Sequence, residues 1–165
     1  MPISEPTAGP ERVAEVASRT TYKSFDTIVN VHGDEPFIVR QAVHVAAQLV
    51  ATGRFPLGTA ASRAGPEILD TPSLVKVVVG DDDRAIYFSR APIPYLRDKS
   101  VAPLLAARTL QHIGVYAYSP ESLAKWLALP VHPLAETERP AHPRPLAARL
   151  ATAVSVTDDG RAHGR

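Results

Sequence analysis

Asp34 and Glu35 stand side by side in the stretch VNVHGDEPF (Val29 to Phe37), directly after a glycine and before a proline. The β-branched run Thr27 to Val31, TIVNV, stops just ahead of them, so they fall at the carboxyl end of a strand expected to be covered on both faces. Asp34 offers hard carboxylate oxygens, and Gly33 lets a ligand approach the backbone. A magnesium ion bound with a nucleotide takes one or two carboxylates and fills its remaining positions with phosphate oxygens and water. The same tetrapeptide, GDEP, also makes a turn whose carboxylate opens a helix, and local chemistry leaves both readings standing. The acidic run Asp81 to Asp83 is read differently. Consecutive positions on a hairpin turn point in divergent directions, so these carboxylates are expected to be solvated and not to share a metal. The six histidines show no zinc spacing, and the absence of cysteine removes disulfides, thiolate metal sites and cysteine nucleophiles.

The elements that must position these groups follow from periodicity. Glu11 to Ser18 carries Val13 and Val16 at helical spacing, and Gln41 to Ala51 reads as an amphipathic helix ended near Gly53. A weaker strand is expected around Gly58. Val75 to Val79, alternating with Lys76, pairs across the acidic turn with the strand that leads into YFSRAPIP. His112 to Tyr118, HIGVYAY, is another strand. SPESLAKWLAL then opens a helix with Ser119 as N-cap and Pro120 in the first turn. LATAVSVT near Val154 supplies a last strand. Early alternation of strands and helices, with a hairpin in the middle, predicts an α/β sheet with an antiparallel excursion. In open sheets of that kind ligands bind at the carboxyl ends of strands, where Asp34 sits.

Bulk composition narrows the function classes. The chain has 165 residues, 45 % of them hydrophobic, and its 18 basic and 17 acidic residues are interspersed. No basic stripe interleaves with aromatics, so no nucleic-acid partner is expected. No apolar run is long enough to span a bilayer, and the N-terminal residues MPISEPTAGPER do not form a secretory signal; a cytoplasmic protein without a membrane partner is the expectation. The 16 prolines crowd toward the C-terminal third, where Pro140, Pro143 and Pro145 are expected to prevent regular structure.

Four segments together, AGPERVAEV, TIVNVHGDEPFI, VKVVVGDDDRAIYFSRAPIPYLRD and QHIGVYAYSPESLAKWLALPVHPLAETER, occur in the order and at the approximate spacing of one family. The chain resembles the 3-deoxy-manno-octulosonate cytidylyltransferases, the CMP-Kdo synthetases, which join a sugar acid to CMP from CTP and release pyrophosphate. The resemblance divides the chain into a partial cytidylyltransferase domain, residues 1–139, and a divergent segment rich in Pro, Ala and Arg, residues 140–165. It implies a Rossmann-like nucleotidyltransferase sheet, magnesium as cofactor, CTP and a small acid as ligands, and a homodimer paired near HIGVYAY.

By the same resemblance, Asp34 would be a magnesium ligand and catalytic residue beside the CTP phosphates. His32, where the family usually has glutamine, would touch the nucleotide, with Glu11 and Arg12 near the cytidine pocket. Ser89 and Arg90 would line the acid pocket, Arg90 as a catalytic cation suited to a bidentate pair with a carboxylate, and His112 and Tyr116 would lie on that side. Packing readings stand beside these: Tyr116 across strands, His112 on neighbouring backbone, Arg90 in a surface ion pair.

The chain departs from the family at several points. No segment of the phosphate-cradling type I-P-A-R-x-x-S-x-R-L-P-G-K is found, so the expectation is a truncated member whose first strand and phosphate loop are missing. Ala8 and Pro10 replace a serine and a threonine. Ala135 replaces a glutamate, and Ala141 and His142 stand at the family's glutamate–glutamine pair. Asp158 or Asp159 could serve as the second metal aspartate, although a turn before Gly160 accounts for both. The alternatives carried forward are a phosphonate acceptor such as phosphonoformate, for which His32 leaves room, and a non-catalytic remnant that retains a dimerisation surface.

Overall fold

A computed structural model of the chain describes residues 9–35, 37–95, 97, 109–130, 132–133 and 143–158. Ala8, Ala135, Pro140, Ala141, His142 and Asp159, singled out above, lie outside the described residues. In chain order the elements are α1 (Gly9–Ala17), β1 (Ile28–Val31), α2 (Arg40–Ala51), β2 (Leu57–Arg63), β3 (Lys76–Val79), β4 (Ala85–Ser89), β5 (Leu110–Tyr118), α3 (Pro120–Ala128), α4 (Pro143–Ala147) and β6 (Thr152–Thr157).

The strands form one sheet in the order β4-β3-β5-β2-β6, with β1 joined to β5. The apolar run of β5 is buried along its whole length, and this strand is the centre of the sheet. One edge pairs with β2, from Leu57 opposite Tyr118 to Arg63 opposite Leu110. The other edge is shared by two short strands set end to end. β1 covers Val115 to Tyr118, and β3 covers Leu110 and Gln111. Both run antiparallel to β5, and β2 pairs with β6 in parallel. The strand–helix–strand unit β1-α2-β2 therefore straddles β5, so its two strands run in the same direction with an antiparallel strand between them.

Alternation along β5 sorts the core into two faces. Ile113, Val115 and Ala117 meet Ala42, Ala46 and Val50 of α2. Tyr116 and Tyr118 point the other way, toward Leu123 and Trp126 of α3 and the α1 residues Val13, Ala14 and Ala17. A third cluster, Val77, Ala85, Phe88, Leu110 and Val154, closes the hairpin end. The close seat of α2 depends on small residues, because a Cβ on Gly58 would lie 2.4 Å from the Ala46 carbonyl oxygen and 3.0 Å from Leu49 Cβ. Gly53, at φ +70°, ends α2 where a left-handed residue is needed. The α3 cap is as the sequence predicts, with the Ser122 N–H donating to Ser119 Oγ at 3.1 Å.

Three expectations need correction. TIVNV is not covered on both faces: β1 is half-buried, Val31 is 40 % exposed, and among the described residues only β5 pairs with it. Lys76 does not alternate outward but is fully buried, its long stem carrying Nζ to the carbonyl oxygens of Thr71 (3.0 Å), Leu74 (2.9 Å) and Arg90 (2.5 Å). Three backbone acceptors satisfy the donors of the ammonium group, which makes the burial tolerable. The proline-rich region is not wholly irregular, since Pro143 opens the five-residue helix α4 in the position where a missing N–H costs nothing.

Replacing Gly58 tests the α2 packing. Gly58→Ala is expected to lower stability by about 1–3 kcal/mol through overpacking against the Ala46 carbonyl, read from urea unfolding at unchanged slope.

Candidate active site

The turn after β1 builds the site. His32 extends the β1–β5 ladder by one bond, its N–H donating to the Gly114 carbonyl at 2.8 Å, and the Glu35 N–H closes the turn on the His32 carbonyl at 3.1 Å. Asp34 lies at the exposed tip of this turn. Behind it is a pocket of about 370 Å³ lined by Gly9, Pro10, Asn30, His32, Asp34, Tyr116, Tyr118 and Trp126, among others. A strand end, a helix start and the aromatic face of β5 converge there.

Four rings run in a row from this pocket toward the hairpin. His32 lies 5.7 Å from Tyr116, Tyr116 lies 5.2 Å from His112, and His112 meets Phe88 edge-on at 5.2 Å. The Thr59 hydroxyl donates to the Val115 carbonyl at 2.6 Å, so its oxygen accepts from His112 Nε2 at 2.9 Å, which places a proton on that nitrogen. The Tyr116 hydroxyl also reaches Thr59. Tyr118 bonds Asn30 and stands edge-on to Trp126 at 5.4 Å. Burial lowers the pKa of His32, opposed by the nearby Asp34 charge. Burial raises both tyrosine phenols above their ordinary value, with Tyr118 adding to the shift of Tyr116.

The residues singled out from the sequence divide into groups. His32, Asp34 and Tyr116 share the pocket. Glu11 and Arg12 follow its rim residues Gly9 and Pro10, and Arg12 faces a neighbouring apolar groove with Tyr22, Phe25 and Val29. His112 is buried one step along the ring row, outside the pocket wall. Ser89, the last residue of β4, is further off, opposite Lys76, which in turn lies opposite Gln111, and Arg90 follows it. The Ser89 hydroxyl accepts from the Ala91 N–H at 3.0 Å, and Arg90 Nη1 donates to the carbonyls of Pro72 (3.0 Å) and Ser73 (2.9 Å). The Asp81–Asp83 turn behaves as solvated charge: Asp82 pairs with Arg84 at 3.0 Å and Asp83 with Arg54 at 3.4 Å. Asp158, directly after edge strand β6, pairs with Arg63 at 3.6 Å.

Sequence reasoning missed Thr59, Lys76 and the contact between Glu35 and Gly114. A glycine inside a β-branched strand signals close approach of another group, and Gly114 carried that signal. Nothing local marked Thr59, whose role depends on a strand pairing across 53 residues.

Residues 3–140 match the cytidylyltransferase family. The chain belongs to that family. Among curated proteins, this chain is 48 % identical over 156 residues to a 3-deoxy-manno-octulosonate cytidylyltransferase of Gemmatimonas aurantiaca, covering 93 % of this chain and 60 % of the relative. A Legionella pneumophila protein of the same name is 38 % identical over 131 residues, which is 79 % of this chain and 51 % of that protein. A solved CMP:2-keto-3-deoxy-manno-octonic acid synthetase complexed with CTP superposes with a TM-score of 0.81 at 29 % identity, covering 94 % of this chain and 61 % of that one. The chain thus spans between about half and three fifths of the length of these relatives. The nucleotidyltransferase fold expected from the sequence is confirmed by the superposition, and no helix among the described residues is long and apolar enough to cross a membrane.

The buried phenols make a pH prediction. Above pH 10 the unfolded chain loses phenolic protons that folded Tyr116 and Tyr118 retain, so stability falls as pH rises. Tyr118→Phe is expected to flatten that fall. In the parent, tyrosinate absorbance from these two residues should grow only as near-ultraviolet circular dichroism is lost.

Proposed function

We propose that this chain acts in CMP transfer from CTP to 3-deoxy-manno-octulosonate, with release of pyrophosphate and with magnesium as cofactor. The observation that carries the reading is Asp34, a solvent-facing carboxylate on the rim of a pocket that also presents Asn30, His32 and Tyr116. The names of the relatives supply the acceptor and the nucleotide.

The donor set suits magnesium held with a nucleotide. Among the described residues no three His, Asp or Glu side chains gather into a metal cage. One exposed carboxylate with room beside it leaves the other coordination positions to phosphate and water. Asp34 would hold the ion, which when bound supplies charge neutralisation at the phosphates. The acceptor's hydroxyl oxygen bonds to the α-phosphorus of CTP as the bond to pyrophosphate breaks and the hydroxyl proton is released to solvent, and no protein nucleophile takes part. The protein's share is alignment and a partly dry wall: the Tyr116–Tyr118–Trp126 face excludes water on one side, while His32 covers Tyr116. Arg90, bonded to the 72–73 carbonyls, lies with Ser89 at the other end of the ring row, where an acid group would meet it. The homodimer and the cytoplasmic location belong to this proposal too, and sedimentation velocity of the purified chain reads the first directly.

Phosphorus NMR with CTP, magnesium and 3-deoxy-manno-octulosonate is the test, with phosphonoformate as a second acceptor. Pyrophosphate and a CMP ester are expected with the sugar acid. Asp34→Asn should lower the rate by about two orders of magnitude. Unchanged CTP with both acceptors would refute the reading, and turnover of phosphonoformate alone would move the substrate to the phosphonates.

A further inference from the structure

The outer edge of β5 changes partners in the middle. Residues 115–118 pair with β1, the Gly114 carbonyl accepts from His32, and the His112 N–H donates to the Val75 carbonyl at 2.8 Å, where the β3 side takes over. The Gly114 N–H falls in the gap. In a continuous ladder a backbone carbonyl would accept it. Here it donates to Glu35 Oε1 at 3.0 Å, so a side-chain carboxylate replaces the missing strand at that position. The fit depends on glycine: a Cβ on Gly114 would lie 2.8 Å from Glu35 Cγ, 3.0 Å from its Oε1 and 3.2 Å from His32 Cβ.

We infer that Glu35 is a positioning residue: its carboxylate, bonded to the Gly114 amide, clamps the His32–Asp34 turn against β5 and thereby sets where Asp34 meets a metal-bound nucleotide. The inference rests on the function proposed above. It separates the two neighbouring carboxylates by role. Asp34 projects from the tip of the turn into solvent, while Glu35 turns back and is half-buried. Bonds that fix the turn include His32 N–H to Gly114, Glu35 N–H to His32, and Gly114 N–H to Glu35. The last comes from a side chain, so it can be removed without touching the backbone.

Reach and acceptor chemistry decide which substitutions preserve the clamp. Glu35→Gln keeps an oxygen acceptor at the same reach, Glu35→Asp shortens the arm by one methylene, and Glu35→Ala removes it. Gly114→Ala pushes the arm away, but in a Glu35→Ala background most of that obstruction is gone. The two substitutions should therefore be non-additive.

The test combines amide exchange at Gly114, followed by NMR on the chain without ligand, with calorimetric affinity for Mn²⁺–CTP. The expected result is that Glu35→Ala and Gly114→Ala each weaken Mn²⁺–CTP binding about ten- to a hundredfold, Glu35→Gln stays within about threefold, and the double variant is no worse than either single one. Gly114 amide protection should be lost in Glu35→Ala and kept in Glu35→Gln. Parental affinity in a folded Glu35→Ala chain, or unchanged Gly114 exchange, would overturn the inference. If the parent chain itself does not bind Mn²⁺–CTP, the functional reading fails and the positioning role fails with it; that outcome differs from a parent that binds alongside variants that bind equally well.

Discussion

The structure depends on a mismatch of lengths along β5. This strand has nine residues, all buried, and β2 runs beside most of it on one side. The opposite edge is divided between two four-residue strands, β1 and β3. A buried backbone amide without a partner costs about 1–3 kcal/mol, so the interval between the two short strands has to be closed by something. The His32–Glu35 turn closes it. The chain leaves the sheet at that point, which is why an exposed carboxylate and a half-buried imidazole emerge beside the aromatic face of the central strand. The site is thus the place where the ladder is handed from one strand to the next.

That arrangement also organises the two ends of the candidate site. Residues 112, 114, 116 and 118 share one face of β5, so His112, Tyr116 and Tyr118 stack along it while Gly114 leaves a notch for His32 and Glu35. Thr59 on β2 ties the His112 ring to the Val115 carbonyl, so a neighbouring strand fixes the ring orientation. At the hairpin end, Lys76 and Arg90 both donate to carbonyls of the 71–74 loop. These cations hold that loop in place through its backbone oxygens. Aromatic packing joins this region to the pocket through Phe88 and His112.

The sequence made local features legible. The Ser119 cap, the periodicity of α2, the acidic hairpin turn and the strand at HIGVYAY are each written within one short window, and each is found at or within two residues of its expected place. Sheet order is not local. That β5 would sit between β1 and β2, and that β1 would be only half-covered, follows from pairings between distant segments. Lys76 departs from its expected place for a related reason: strand alternation says which way a side chain starts, and a long stem can still curl to buried carbonyls. Asp34, His32 and Tyr116, singled out by motif and resemblance, line one pocket. Glu35 stood in the same motif, yet its function depends on a glycine 79 residues away.

Paramagnetic broadening tests the central claim most directly, since it locates a metal-bound nucleotide without requiring turnover. With the isotopically labelled chain, Mn²⁺ and CTP added together should broaden the amide signals of residues 32–35 and 114–116 most strongly. The Asp81–Asp83 turn, for all its negative charge, should broaden less. Broadening centred on that turn, or spread evenly over the acidic surface, would contradict an account in which the break in the β5 ladder is the nucleotide site.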